Sequence, residues 1–220
     1  MLPNNNKTII NKLAKNSVKT NKKQYAILFF TIILSSFMLF CVFTIGMTYL
    51  DSSRLQNTRL NGAEYDIAAM NGFTSEQLNT LRQNEHIRSV GIESYAGFIQ
   101  STEYDETVEV GLLWCDEVFW DNLMSPARTK LDGHYPQNKN ELMVTKDILK
   151  TCGNENLSVG DSLILTYANN TGVYTDEFII SGIWDGYGDT SAGFVSKAFY
   201  DETGYDLKND GILCIKLNRN

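Results

Sequence analysis

One uncharged stretch constrains this chain more than any other feature. Residues 25–50, YAILFFTIILSSFMLFCVFTIGMTYL, form a run of 26 residues without a charged side chain. A helix rises about 1.5 Å per residue, so the run would measure about 39 Å, whereas the hydrocarbon core of a bilayer is about 30 Å thick. The stretch therefore predicts one transmembrane helix that spans the membrane with some tilt.

A buried helix of a soluble protein and a cleaved signal peptide are the two alternatives to this span. Buried helices seldom run this far without a charge, and the apolar core of a signal peptide has about 7–15 residues and is followed by small residues. The run ends in Tyr49 and Leu50 and is followed by Asp51, which does not resemble a cleavage site. Tyr25 and Tyr49 lie near its ends, where aromatic side chains favour the membrane interface.

The charged residues are divided unevenly between the two sides of the span. Of the 19 basic residues, six lysines lie in residues 1–24, which contain no acidic residue. The other 13 basic residues and all 26 acidic residues follow position 50, a formal charge of −13. Cytoplasmic flanks of membrane spans carry the excess of Lys and Arg. We therefore expect the N-terminus in the cytoplasm, residues 51–220 outside, and no binding of nucleic acid.

The basic segment has a helical pattern over residues 7–23. Lys12, Lys15, Lys19 and Lys22 follow a 3-4-3 spacing that places them on one helical face. The apolar residues fall on the other side: Ile9, Ile10, Leu13, Ala14 and Val18. Such a helix could lie against membrane lipid with its lysines towards anionic headgroups, dock on a protein at the inner surface, or serve only to orient the span.

These patterns divide the chain into four segments. They are a cytoplasmic basic segment (1–24), the transmembrane helix (25–50), a polar connector (51–63) and an extracytoplasmic domain (64–220). We expect the connector to continue the helix until a break near Gly62. The outer part is long enough to bury a core without disulfide bonds.

The outer segment alternates short predicted strands and helices. Strands are predicted over residues 65–70, 87–100 (with a break at Gly91 or Gly97), 107–114, 142–145, 162–167, 173–184 and 212–217. Helices are predicted after the capping box Thr74–Gln77, from Asp116, over 146–151 and over 196–203. This order predicts a two-lobed α+β domain with its helices on one face of the sheet.

We find no motif for catalysis or for binding a cofactor or metal, and we expect no enzyme. The glycine-rich run 186–193 (GYGDTSAG) lacks the lysine and the spacing of a phosphate-binding loop. His134 is expected in a surface turn and His86 at the C-terminal cap of a helix. The acid pairs Asp105–Glu106 and Asp116–Glu117 are expected to be solvated.

Three of the four cysteines lie outside the predicted span. Cys41 is inside it, whereas Cys115, Cys152 and Cys214 follow it without a CxxC motif or paired spacing. Unpaired buried thiols are the favoured interpretation. One disulfide with one free thiol, or a metal site, remains an alternative.

An ordered set of short motifs occupies the middle of the outer segment. They are Cys115–Trp120 (CDEVFW), Leu131–Pro136 (LDGHYP), Asn140–Val144 (NELMV), Leu157–Leu165 (LSVGDSLIL) and Phe178–Ile183 (FIISGI). This set, behind a basic helix and a first span, resembles the extracytoplasmic core domain of FtsX/MacB-like permeases of ABC transporters. His134 stands where an arginine is common in that family. The motif residues shape turns, and Asp161 is expected to bond nearby backbone amides.

The resemblance implies a permease subunit that works with a cytoplasmic ABC ATPase and a second permease copy. ATP-driven motion would pass through the first span, residues 25–50, to the outer domain, residues 64–217, while residues 12–23 would lie at the inner surface of the membrane. The outer domain would then act on a peptide, a lipoprotein, a lipid or a cell-wall hydrolase. Family members have at least four spans, so the resemblance implies that this chain is the N-terminal part of a permease. The alternatives are a single-pass membrane-anchored binding or sensor protein and a membrane-anchored enzyme.

Overall fold

The computed structural model describes residues 7–100, 110–187 and 192–218. The chain divides into two compact units, one ending at Arg54 and one beginning at Leu55. Part of the strand predicted over 107–114, the pair Asp105–Glu106 and part of the glycine-rich run lie outside the described residues.

The first unit is helical. Helix α1 (Lys7–Thr20) is followed by the 39-residue helix α2 (Lys22–Leu60). Two backbone hydrogen bonds bridge the break between them, from Asn21 N to Ser17 O at 3.0 Å and from Tyr25 N to Asn21 O at 3.1 Å. Within the described ranges, α2 is the one helix that is long and apolar enough to cross a membrane. The prediction of a long apolar N-terminal helix is therefore confirmed.

Helix α2 ends where the sequence predicted a break, because Gly62 adopts a φ of 72° that ends the helix. Its last residues, from Leu55 to Leu60, belong to the second unit. The second unit contains nine strands in its described part. They are β1 (Ile67–Ala69), β2 (Ile87–Ile99), β3 (Val110–Cys115), β4 (Arg128–Gly133), β5 (Glu141–Thr145), β6 (Ser162–Asn169), β7 (Gly172–Gly186), β8 (Gly193–Val195) and β9 (Ile212–Leu217).

Six short helical elements connect these strands. They are α3 (Ser75–Arg82), a π-helix (Val118–Leu123), a 3-10 turn (Ser125–Ala127), α4 (Lys146–Thr151), α5 (Lys197–Tyr200) and α6 (Leu207–Asp210), counted over the described residues. The capping box predicted for α3 is present, since Thr74 and Gln77 exchange both bonds. The α+β fold class is therefore confirmed.

Six of the strands close into a ring. β2 pairs with β3, β3 with β8, β8 with β5, β5 with β7, β7 with β6, and β6 returns to β2. The β3–β8 and β5–β7 pairs are parallel, and the other four are antiparallel. β9 and then β1 extend the sheet from β2, and β4 flanks β7.

Strand β2 is bent rather than broken, which corrects the prediction of an interruption at Gly91 or Gly97. Its register shifts between Tyr95 and Gly97, and Gly97 has a φ of 154°. A Cβ atom on Gly97 would lie 2.7 Å from the carbonyl oxygen of Ala168 on β6. The absence of a side chain at this bulge therefore lets β6 approach β2 and complete the ring.

The buried side chains form two clusters, one on each face of the sheet. All six ring strands contribute to the first cluster, which therefore fills the ring, and α3, α4 and α5 pack against it. The second cluster contains Phe119, Trp120 and Leu123 of the π-helix. Successive residues of β5 alternate between them, because Leu142 joins the first cluster and Met143 the second.

The prediction that helices cover one face was wrong, because β5 and β9 are apolar on both faces. Each face must then be covered, and the π-helix covers the second. The strands β4 and β8 and the helix α6 were not predicted. β4 (RTKLDG) is exposed almost throughout and has no apolar alternation, and β8 is three residues long.

Candidate functional site at the end of the long helix

The last turn of α2 is attached to the end of β7 by one arginine. Arg59 donates a hydrogen bond from Nη2 to the hydroxyl oxygen of Tyr187 at 3.0 Å. Its guanidinium carbon lies 3.8 Å from the centre of the same ring. The Nε atom of Arg59 is buried and has no hydrogen-bond partner among the described residues. A cation held over a ring with part of its charge desolvated contributes about 1–2 kcal/mol.

Four residues later the chain enters the second cluster. Ala63 is buried there, and the backbone N–H of Glu64 donates to Leu123 O, at the end of the π-helix, at 2.7 Å. The Glu64 carboxylate forms an ion pair with Lys216 on β9, whose side chain is 15% exposed. Because Lys216 is mostly shielded from water, this pair is screened less than a surface pair.

A further pair of hydrogen bonds begins the sheet. The backbone N–H of Asp66 donates to Ile215 O at 2.8 Å, and the Asp66 carboxylate accepts from Leu217 N at 2.9 Å. Strand β1 follows at once and pairs with β9. Residues 59–69 therefore bind β7, the π-helix and β9 in succession. We call this segment the junction.

The π-helix is itself fixed to β2. Asp116 accepts hydrogen bonds from Ile92 N and Phe119 N, each at 2.9 Å, so its carboxylate caps the π-helix and joins it to β2. The prediction that Asp116 is simply solvated was wrong, since its side chain is 16% exposed. Gly91 lets the two elements touch, because a Cβ there would lie 2.8 Å from Phe119 Cα.

A half-buried carboxyl group lies on this face of the sheet. Burial raises the pKa of Glu93 to about 7. In the sheet register Glu93 is opposite Cys115 on β3, and Cys214 of β9 lies opposite Gly91. Burial first, and the charge of Glu93 second, raise the pKa of Cys214 to about 12. Burial also raises the pKa of Cys115 well above its ordinary value. The thiols of Cys115 and Cys214 therefore stay protonated near neutral pH.

Burial raises the pKa of two tyrosines on the same face. For Tyr65, the charges of Cys214 and Glu93 add to the effect of burial. For Tyr135, burial is again the first cause. The Tyr135 hydroxyl accepts a hydrogen bond from Cys115 N at 3.0 Å and lies 3.3 Å from the carbonyl oxygens of Cys115 and Val195. Both tyrosine hydroxyls therefore stay protonated near neutral pH.

The sequence pointed to segments rather than to these residues. Residues 25–50 lie within α2, and residues 12–23 lie in α1 and the start of α2. All four cysteines are free, and Cys115 and Cys214 are buried. In the described parts of the chain, no three His, Cys, Asp or Glu side chains are grouped to hold a metal ion.

Neither histidine is one of the junction residues 59–69. The C-terminal cap of α3 is Gln83 rather than His86, whose side chain is 77% exposed. His134 follows β4 and is exposed, as predicted. Arg59 and Tyr187 were missed because 128 positions separate them, and no local pattern links a connector arginine to a tyrosine in a glycine-rich run.

No family model matches the sequence, and no curated protein matches it. Several solved structures match the fold of the chain. The chain is similar to extracytoplasmic domains of ABC transporters. The extracellular domain of the noncanonic ABC-type transporter YknZ from Gram-positive bacteria has 12% identity and a TM-score of 0.44, over 67% of this chain and 74% of that one. The periplasmic region of MacB from Actinobacillus actinomycetemcomitans has 13% identity and a TM-score of 0.44, over 70% and 74%.

Proposed function

We propose that this chain is the N-terminal part of an FtsX/MacB-like ABC transporter permease. In this proposal α2 crosses the membrane, and the junction passes its movement to the sheet domain without any chemical reaction. The junction carries the proposal, because Arg59 and the segment after it are bound to three separate elements. A helix that ended in a loose linker would dissipate movement instead.

The movement would originate at a cytoplasmic ABC ATPase, bound through parts of the permease beyond this sequence. The lysine-rich α1 would face the cytoplasm, close to anionic lipid, and the acidic sheet domain would lie outside the membrane. A second permease copy would complete the transporter. The sheet domain would act on an extracytoplasmic peptide, lipoprotein, lipid or cell-wall hydrolase.

The stiffness of the junction can be measured on the full chain in neutral detergent. Spin labels attached to ketone-bearing amino acids at Asn57, near the end of α2, and Ile164, exposed on β6, leave the native cysteines unchanged. Electron–electron resonance should give one narrow distance distribution, because Arg59 fixes the helix end to β7. Arg59→Gln should broaden it at least twofold.

Arg54→Gln is the matched control, since it removes the same charge from an exposed position of the same helix. It should leave the distribution unchanged. A broad distribution in the unmodified chain, or equal broadening by both variants, would contradict transmission through the junction.

A further inference from the structure

A cleft far from the junction combines aromatic and acidic side chains. It has a volume of about 250 Å³ and opens between the β6–β7 hairpin and the residues that follow α5. The side chains that define it are Tyr167, Tyr174, Phe199, Asp176, Glu202 and Lys139. We call it the hairpin cleft. Its volume is below the roughly 300–1,000 Å³ of pockets for drug-sized ligands, so it suits one side chain.

Three rings form one side of the hairpin cleft. The centre of the Tyr167 ring lies 5.9 Å from that of Tyr174 and 5.3 Å from that of Phe199. Tyr167 and Phe199 are buried, whereas Tyr174 is 42% exposed and reaches the rim. The faces of such rings carry a partial negative charge that attracts cations.

Asp176 supplies a carboxylate next to these rings. The Tyr167 hydroxyl donates a hydrogen bond to Asp176 Oδ2 at 2.6 Å. Burial raises the pKa of Tyr167, and the neighbouring Asp176 raises it further, so the hydroxyl remains a donor. Asp176 Oδ1 makes no hydrogen bond to any described residue. The hydrogen bond from Tyr167 therefore orients the carboxylate while one oxygen stays available to a ligand.

The hairpin cleft already contains an ammonium group from the chain itself. Lys139 Nζ lies 2.5 Å from Glu202 Oε2, and both side chains are more than half exposed. Exposed pairs of this kind contribute little to stability, so another cation can replace Lys139 at low cost. The cleft thus accommodates an ammonium beside Glu202 and offers a second carboxylate and two tyrosine rings nearby.

We propose that the hairpin cleft binds the lysine side chain of an extracytoplasmic peptide. The ammonium would bond Asp176 Oδ1, and the methylene stem would lie on the rings of Tyr174 and Tyr167. The formal charge of −13 on residues 51–220 would concentrate basic peptides around the domain. This binding does not depend on the proposed transmission, because the hairpin cleft and the junction share no residue.

Saturation-transfer NMR on the full chain in neutral detergent tests the proposal. The probe is lysine blocked at both backbone ends, and its Nζ-acetylated form is the neutral comparison. We expect millimolar binding of the lysine probe and at least tenfold weaker binding of the acetylated form. Ethanolamine, the amine of a lipid headgroup, should bind at least fivefold more weakly than lysine because it has no stem to pack on the rings.

Adjacent substitutions on β7 separate the hairpin cleft from general charge. Asp176→Asn should weaken binding at least fivefold, whereas Glu177→Gln should change it less than twofold, because Glu177 pairs with exposed Ile164 on the opposite face. Tyr174→Leu should weaken binding at least threefold. Lys139→Met should tighten it, since Glu202 is then released.

Three results would overturn the proposal. The first is an equal loss of binding in Asp176→Asn and Glu177→Gln, and the second is unchanged binding in Tyr174→Leu. The third is no detectable binding of the lysine probe at a concentration of about 20 mM, which is 20-fold above a dissociation constant of about 1 mM. Equal affinity for ethanolamine would show that the stem is not recognised and would reject a lysine side chain as the ligand.

Discussion

Glu93 is a carboxyl group whose ionisation opposes folding. Its ordinary pKa of 4.5 rises to about 7 in the folded chain because burial removes water from the charged form. The folded state therefore holds the proton more tightly than the unfolded state does. The destabilising effect is absent below pH 4.5, grows as the pH rises through the interval, and is complete above pH 7.

Glu93→Gln should therefore stabilise the domain at alkaline pH. One pKa unit corresponds to about 1.4 kcal/mol, so we expect a gain of about 1–3 kcal/mol at pH 8 and little gain at pH 4.5. Urea unfolding followed by tryptophan fluorescence at both pH values measures this difference. The exposed Glu177→Gln should retain the wild-type pH profile. A gain that is the same at both pH values would show that ionisation of Glu93 is not the cause.

At the scale of elements, the π-helix and β2 meet through a glycine. A methyl group on Gly91 would lie 2.8 Å from both Phe119 Cα and Leu123 Cδ1. The backbone atom cannot move aside without shifting the π-helix, which Asp116 also fixes. The contact is therefore intolerant of added volume.

Gly91→Ala should destabilise the second unit by about 1–3 kcal/mol, the usual cost of overpacking. Thermal unfolding of the full chain in detergent measures the loss. Gly111→Ala on β3 is the matched control, because its nearest neighbour would be the Tyr95 ring at 3.4 Å, an ordinary contact. Equal losses in the two variants would indicate a general intolerance of alanine in these strands.

The elements that were predicted correctly are those with local signals. The capping box of Thr74 and Gln77 begins α3, and Asp161 accepts a hydrogen bond from Ser158 N at 2.8 Å within its turn. The contacts that define the junction join residues far apart in sequence. Arg59 meets Tyr187, and Glu64 meets Lys216, through the paths of α2, β7 and β9.

No local sequence pattern predicted closure of the ring either. It depends on Gly97 approaching Ala168, 71 positions later in the chain. In the sequence that glycine indicated only an interrupted strand, because a bulge and a break have the same local signature. The paired strands β6 and β7 were predictable from their short hairpin connection, but their partners were not.

At the scale of the whole molecule, charge predicts the orientation in the membrane. A membrane-impermeant maleimide applied to intact cells should label Asn170→Cys in the sheet domain and leave Asn11→Cys in α1 unlabelled. Both variants are made with Cys152→Ser, because Cys152 is only partly buried. Labelling should be at least tenfold higher for Asn170→Cys. After membrane permeabilisation both should react, and early labelling of Asn11→Cys would reverse the orientation.

The strand ring limits edge-to-edge pairing between copies of the domain at high protein concentration. A sheet edge is a template on which another chain can grow, and proteins restrict such edges. In the described chain, the ring strands have neighbours on both sides, so the open ends of the sheet fall to β1 and β4. β1 is three residues long, and β4 carries Lys130 and Asp132. The sheet domain is thereby poorly suited to seed fibrils with copies of itself.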